Sequence, residues 1–256
     1  MMTPLWRFPL IVFLFSLLVL WLATQAGVFF RDRSKILGET ERQDLSVIEP
    51  ASLTLLGLII GFSFSMAIGR YDLRKGYEEE EANAIGTEYA RTDLLPAADA
   101  EKVRALLKSY LDQRLIFYTT RDADQLKQND TFTGQLQAKM WSATVAPAVA
   151  QPTALSALAA SGMNDVLNSQ GYALAAWRNT IPRAAWILME AIAVFCSMLI
   201  GYNMRRKDAK YLPCLILPFL VAISFFLIAD IDSPRRGVVE VRPQNLQSLA
   251  QSLHVR

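Results

Sequence analysis

Four stretches of this sequence carry no charge, or almost none, over the length of a bilayer crossing. They are Phe8 to Phe30, Pro50 to Gly69, Ala184 to Met204 and Tyr211 to Ala229, each 19–23 residues long. About 20 apolar residues in a helix cover the hydrocarbon core. Backbone inside lipid must satisfy its own hydrogen bonds, and runs of this length do so as helices. The expected class is all-α, with four transmembrane helices. The first run has a second reading. Arg7, an apolar stretch and "ATQAG" also match a cleaved signal peptide. The uncharged run continues through Val28, Phe29 and Phe30, which favours a retained helix.

Between the second and third runs lie residues 70–183, with 13 Lys/Arg and 14 Asp/Glu. Such a segment belongs in water. It reads as helical, without any sustained alternation. In "VRALLKSYLDQRLIFY", Val103, Leu106, Leu107, Tyr110, Leu111, Arg114 and Phe117 share one helical face. Pro96 suits the first turn of that helix. Upstream, Tyr77, Ile85 and Tyr89 form a thinner stripe. "PTALSALAASGMNDVLNSQGYALAAWRNTIP" reads as two helices broken near Gly171 and ended by Pro182. After the fourth run, Pro234 and Gly237 predict a turn, "VVEV" a short extended piece, and the last residues a short helix or tail. The expected divisions are residues 1–69 and 184–229 in the membrane, 70–183 as a soluble helical insert, and 230–256 as a tail. Flanking Lys and Arg divide almost evenly between the two orientations, so charge does not choose a side.

Most catalytic chemistry is excluded by what the sequence lacks. His254 is the one histidine, which removes His-based metal sites and Ser–His or Cys–His catalysis. Phosphate-loop, dinucleotide and nucleophile-elbow motifs are absent. The net charge of +2 and scattered basic residues argue against a nucleic-acid groove. Cys196 and Cys214 lack metal-ligand spacing and read as small apolar packing residues. No enzyme, cofactor or metal is expected.

What remains lies near the membrane. Gly57, Gly61, Ser65 and Gly69 fall four apart on one face of the second span, a pattern that lets another backbone approach. It serves equally for packing inside one subunit or between subunits. Beside it lies Thr54, Leu58 and Phe62, also four apart, suited to a bundle axis or to lipid. Glu190 sits roughly 9 Å inside the third span, by helical rise. A carboxylate there belongs to an ion or proton path, or reaches back to Arg183 or Arg178. Glu78 to Glu81 cannot all share one site, because consecutive residues point around the helix; they read as a solvated surface. Asp230 and Asp232 read as caps or as partners of Arg235 and Arg236, two acids being too few for a cation clasp.

"LTLLGLIIGFSFSMAIGRYDLRKGYEEEEANAIGTEYARTDLLP", from Leu53 to Pro96, resembles the signature of bacterial bestrophin-like domain membrane proteins, and "LIADIDSPRRGVVEVRPQNLQSL", from Leu227 to Leu249, is similar to that family's C-terminal signature. The motif positions include Arg70, Asp72, Glu81 and Asn83 in the first segment. In the second they are Asp230, Asp232, Pro234, Arg235, Arg236 and Gly237. The more distant bestrophins are pentameric channels. Their second helix lines the pore with apolar residues four apart and continues into the cytosol. The resemblance implies a homo-oligomer, a pore neck at Thr54, Leu58 and Phe62, and cytosolic termini and insert in a bacterial inner membrane. Thr54 departs from the apolar pattern. "DIDSPRRG" has fewer acids than the bestrophin calcium segment and two intruding arginines. The leading expectation is an oligomeric ion channel in the lipid bilayer. The alternative is a membrane-anchored scaffold or sensor acting through the insert. A secondary transporter using Glu190 is weaker, since four spans without an inverted repeat leave little room for alternating access.

Overall fold

The computed structural model describes residues 8–33, 39–204 and 213–254. The expected start of the fourth span at Tyr211 lies outside them. The helices are α1 (Pro9–Arg33), α2 (Glu39–Arg91), α3 (Ala97–Thr119), α4 (Ala123–Ala150), α5 (Ala154–Arg178), α6 (Arg183–Asn203), α7 (Pro213–Asp232) and α8 (Gln244–His254), with a 3-10 turn at Thr92–Leu94. No strand occurs among the described residues. Four helical stretches are long and apolar enough to cross a membrane, beginning at Pro9, Val47, Ala154 and Cys214. The protein is an all-α, multi-pass membrane protein.

Two compact units emerge. The first comprises residues 1–70 and 180–240, the second residues 71–179 and 241–256. The core of the first is mainly apolar: Val12 and Leu20 of α1, Leu56 and Ala67 of α2, Met189, Ala193 and Cys196 of α6, and Val221 and Phe225 of α7. Cys196 and Cys214 are buried and unpaired. Phe13 meets Phe219 and Phe226 edge-on, and Trp186 meets Phe225. The tightest backbone approach joins α1 to α6. A Cβ added at Gly201 would overlap the Thr24 carbonyl, and one at Gly27 the Met198 carbonyl. Lipid tails are as apolar as leucine, so membrane helices associate through close packing of this kind.

The second unit is built as a soluble body. Val103, Leu107, Tyr110, Leu111, Arg114 and Phe117 of α3 are buried, matching the predicted face, and Leu106 is partly buried against it. Met140 of α4 and Met163 and Val166 of α5 complete the core. Phe117, Tyr118 and Trp177 pack edge-to-face with centroids 5.2–5.4 Å apart. The helix starts are capped locally. The Asp122 carboxylate accepts from the Asp124 N–H, and Thr153 and Ser156 form a capping box.

Three local expectations are revised. The helix expected to break near Gly171 runs unbroken from Ala154 to Arg178. A helical glycine costs only ~1 kcal/mol relative to alanine, which a buried opposite face outweighs. Pro96 stands at the N-cap of α3, just before its first turn. "VVEV" forms no strand, and the residues after it form α8, whose Leu246 and Leu253 are buried in the second unit's core.

Candidate functional site

The membrane half of α2 buries a narrow stripe, Leu56, Ser63 and Ala67. The predicted stripes lie away from it. Thr54, Leu58 and Phe62 are all exposed, Leu58 at 53% and Phe62 at 63%. Gly57, Gly61, Ser65 and Gly69 are exposed too, and among the described residues no atom beyond the adjoining turns of α2 comes within 4 Å of a Cβ placed at any of the three glycines. Among the described residues, close backbone packing within the subunit falls instead to Gly27 and Gly201 on other helices. Thr54 departs less from an apolar stripe than its side chain suggests. Its hydroxyl donates to the Pro50 carbonyl at 2.8 Å, so its proton is spent on its own helix.

The part of α2 in the second unit reverses the pattern. Arg74, Glu78, Glu81, Ile85, Glu88 and Thr92 follow helical spacing and are all buried, at 0–1% exposure. Each of the first three charges meets a complementary group. Arg74 donates to the Ala176 carbonyl at 3.2 Å and the Asn179 carbonyl at 2.9 Å, at the C-terminus of α5. Glu78 accepts from Asn245 Nδ2 at 2.7 Å and the Leu246 N–H at 2.9 Å, at the N-terminus of α8. Helix ends leave such carbonyls and N–H groups without internal partners and carry matching partial charge. Glu81 takes a bidentate pair from Arg114, through Nε and through Nη2 at 3.2 Å, and a third bond from Tyr118 Oη at 3.0 Å. The acidic run is thus not a uniform solvated surface. Glu79 and Glu80 are exposed, whereas Glu78 and Glu81 are interior groups. Beside Glu81, burial and the carboxylate's charge push the Tyr118 phenol upward.

Glu88 is the exception on this stripe. Neither carboxylate oxygen has a hydrogen-bond partner. It lies over Gly162 of α5, where a Cβ would overlap both its Oε2 and Arg91 Nη1. Burial, opposed by Arg91 and aided by Asp165, pushes its carboxyl up to about 8. On the exposed side, Asn83, Thr87, Asn245 and Ser248 line a polar cleft of about 350 Å³, and Asp72 is exposed.

The turn after α7 is organised by its two aspartates. Asp230 accepts from the Val238 and Val239 N–H groups at 2.7 and 2.9 Å. Asp232 accepts from the Ile181 N–H at 2.8 Å and from Arg70 Nη1 at 3.3 Å. Capping or pairing with Arg235 and Arg236 was expected of these acids; Arg70 was not foreseen as a partner, being far away in sequence. The Arg236 guanidinium carbon lies 4.1 Å from the Phe8 ring centroid. Pro234 and Arg235 are half-buried, and Gly237 is buried against the Asp230 carbonyl. No group of three or more potential metal ligands occurs among the described residues. In α6, Glu190 accepts from Ser16 of α1 at 3.0 Å through Oε2, while Oε1 is buried without a partner. Its ligand is a neighbouring helix's hydroxyl; the expected alternative was an arginine at the helix start.

No curated protein sequence matches the chain. Among solved structures, it is similar to a bacterial bestrophin homologue from Klebsiella pneumoniae. Identity is 11%, coverage 95% of this chain and 96% of that one, and the TM-score 0.65. An aspartate-to-alanine variant of that homologue gives 12% identity, coverage of 94% and 97%, and a TM-score of 0.66. At this identity the likeness shows the fold. The family model described as Bestrophin-like domain matches residues 10–246. From the buried acids of α2 to the aspartate-held turn after α7, nearly the whole chain lies within that match, and the protein belongs to the Bestrophin-like domain family.

Proposed function

We propose that the protein is a homo-oligomeric ion channel whose pore is lined by the membrane half of α2. The observation that carries this reading is the outward face of that helix. It presents Leu58 and Phe62 in one stripe and, beside it, glycines that no described residue outside the adjoining turns of α2 approaches within 4 Å of an added Cβ. A helix meeting only lipid has no use for a narrow face; a helix packed against copies of itself does. In such a ring, Gly57, Gly61, Ser65 and Gly69 pack between copies. Thr54, Leu58 and Phe62 then form an apolar constriction that gates by dewetting. The solved bacterial bestrophin homologues have a similar fold, which supports the reading. We place the termini and residues 70–183 in the bacterial cytosol and take the ring to hold five copies.

The test has two arms. Native mass of the purified protein should give a pentamer. In liposomes, Phe62→Ala should raise ion flux several-fold over the wild-type protein. A stable monomer would sink the pore and leave an anchored scaffold acting through the second unit. A pentamer with unchanged flux in Phe62→Ala would move the constriction elsewhere.

A further inference from the structure

We propose that the turn 234–239, together with Phe8, is a binding site for the phosphate of an anionic phospholipid headgroup. The turn follows directly on the last residue of the α7 span, Asp232, and Phe8 immediately precedes α1. Both therefore stand at a membrane–water boundary, because the spans they adjoin are of bilayer length. Arg236 is exposed, and its guanidinium carbon lies 4.1 Å from the Phe8 ring centroid. A cation–π contact engages one side of a guanidinium and leaves N–H groups to bond elsewhere. Among the described residues no acceptor meets them. An arginine fork is the side chain best shaped for a phosphate.

The next residues supply the apolar part of an interfacial site. Val238 is 85% exposed and Val239 is 38% exposed. Loose loops also expose valines, but this one is held. Both valine N–H groups are committed to the buried Asp230 carboxylate, and Gly237 fits where a Cβ would overlap the Asp230 carbonyl. The turn is fixed in place before any ligand arrives, so little ordering cost remains for binding. A cation with open donors beside an apolar side chain at the boundary matches a headgroup phosphate with acyl chain next to it. This inference does not depend on ion conduction.

Native mass spectrometry of the detergent-purified full chain, titrated with phosphatidylglycerol and separately with phosphatidylcholine, tests it. The wild-type protein should retain phosphatidylglycerol preferentially. Arg236→Ala should weaken that retention about five-fold, as expected for one interfacial arginine. Phe8→Ala should weaken it less. Excess inorganic phosphate should not displace the lipid, because it lacks the chain that Val238 contacts. Equal retention by wild type and Arg236→Ala, with the assembly mass unchanged, would overturn the site. So would a Val238→Ser protein that changes assembly mass while binding phosphatidylglycerol normally, since the valine would then belong to another copy. If Arg236→Ala fails to fold, Arg236→Lys provides the second measurement. It keeps the charge, loses the fork, and should retain the lipid at an intermediate level; retention equal to wild type would count against the site.

Discussion

One helix, α2, obeys opposite rules along its length. In the first unit it buries Leu56, Ser63 and Ala67 and turns Leu58 and Phe62 outward. In the second it buries Arg74, Glu78, Glu81 and Glu88 and turns Glu79 and Glu80 to water. Apolar residues outside are stable where the solvent is lipid or another copy. Buried ions hold where each finds a specific partner, as Arg74, Glu78 and Glu81 do, whereas burial without a hydrogen-bond partner pushes Glu88 towards its neutral acid. The membrane half thus leaves its partner open, whereas the soluble half names its partners atom by atom. The charged half fixes its contacts within the chain, and the assembly proposed above rests on the apolar one.

This contrast breaks first at the ion pair. Glu81→Ala should destabilise the second unit by about 3–5 kcal/mol, because Arg114 is left buried and charged. Thermal unfolding followed through Trp177 fluorescence would read it, as that ring packs on Tyr118, which binds Glu81. An unfolding temperature equal to wild type would mean the buried acids are dispensable.

Glu88 offers a pH test of the same stripe. Its folded-state carboxyl titrates at about 8 against an ordinary 4.5. The folded protein therefore holds this proton where the unfolded chain has released it. Stability from this group is complete below pH 4.5, falls as pH rises toward 8, and levels off above. Glu88→Gln should remove that slope, a difference of roughly 2–4 kcal/mol near pH 8. A slope that persists in the variant would assign it to other groups.

The two kinds of membrane glycine give the finest comparison. Gly201→Ala should destabilise the protein by about 1–3 kcal/mol through overlap with the Thr24 backbone. Gly61→Ala should leave the single chain at least as stable as wild type, by up to ~1 kcal/mol, as alanine is the better helix former and no described atom beyond the adjoining turns stands in the way. Its effect should appear in the mass of the assembly instead. Equal unfolding of the two variants would erase the distinction between internal and outward small residues.

Much of this was legible in the sequence. Uncharged runs of bilayer length mark the spans because lipid admits few alternatives, and the α3 face from Val103 to Phe117 follows from helical spacing. The interior acids were harder. Four consecutive glutamates look like surface, yet Glu78 and Glu81 share their face with Ile85, a residue already in the apolar stripe. Arg74 and Glu88 extend that face, and a charge recurring at core positions was the available signal. The partners themselves could not be read. Leu246 and Asn179 serve through backbone atoms, and backbone atoms leave no mark in composition. The glycines that pack, Gly27 and Gly201, stand alone in their helices and form no repeat. The conspicuous repeat in α2 turned out to face away from the chain that carries it.

The bond from Glu78 to the Leu246 N–H spans 168 residues. During synthesis the acid emerges early and its partner only after α7 has been made. Every nascent chain therefore carries an incomplete soluble body through the whole of membrane insertion, with the Glu78 carboxylate still in water. By sequence order alone the contacts of α8 are the last that this body can complete.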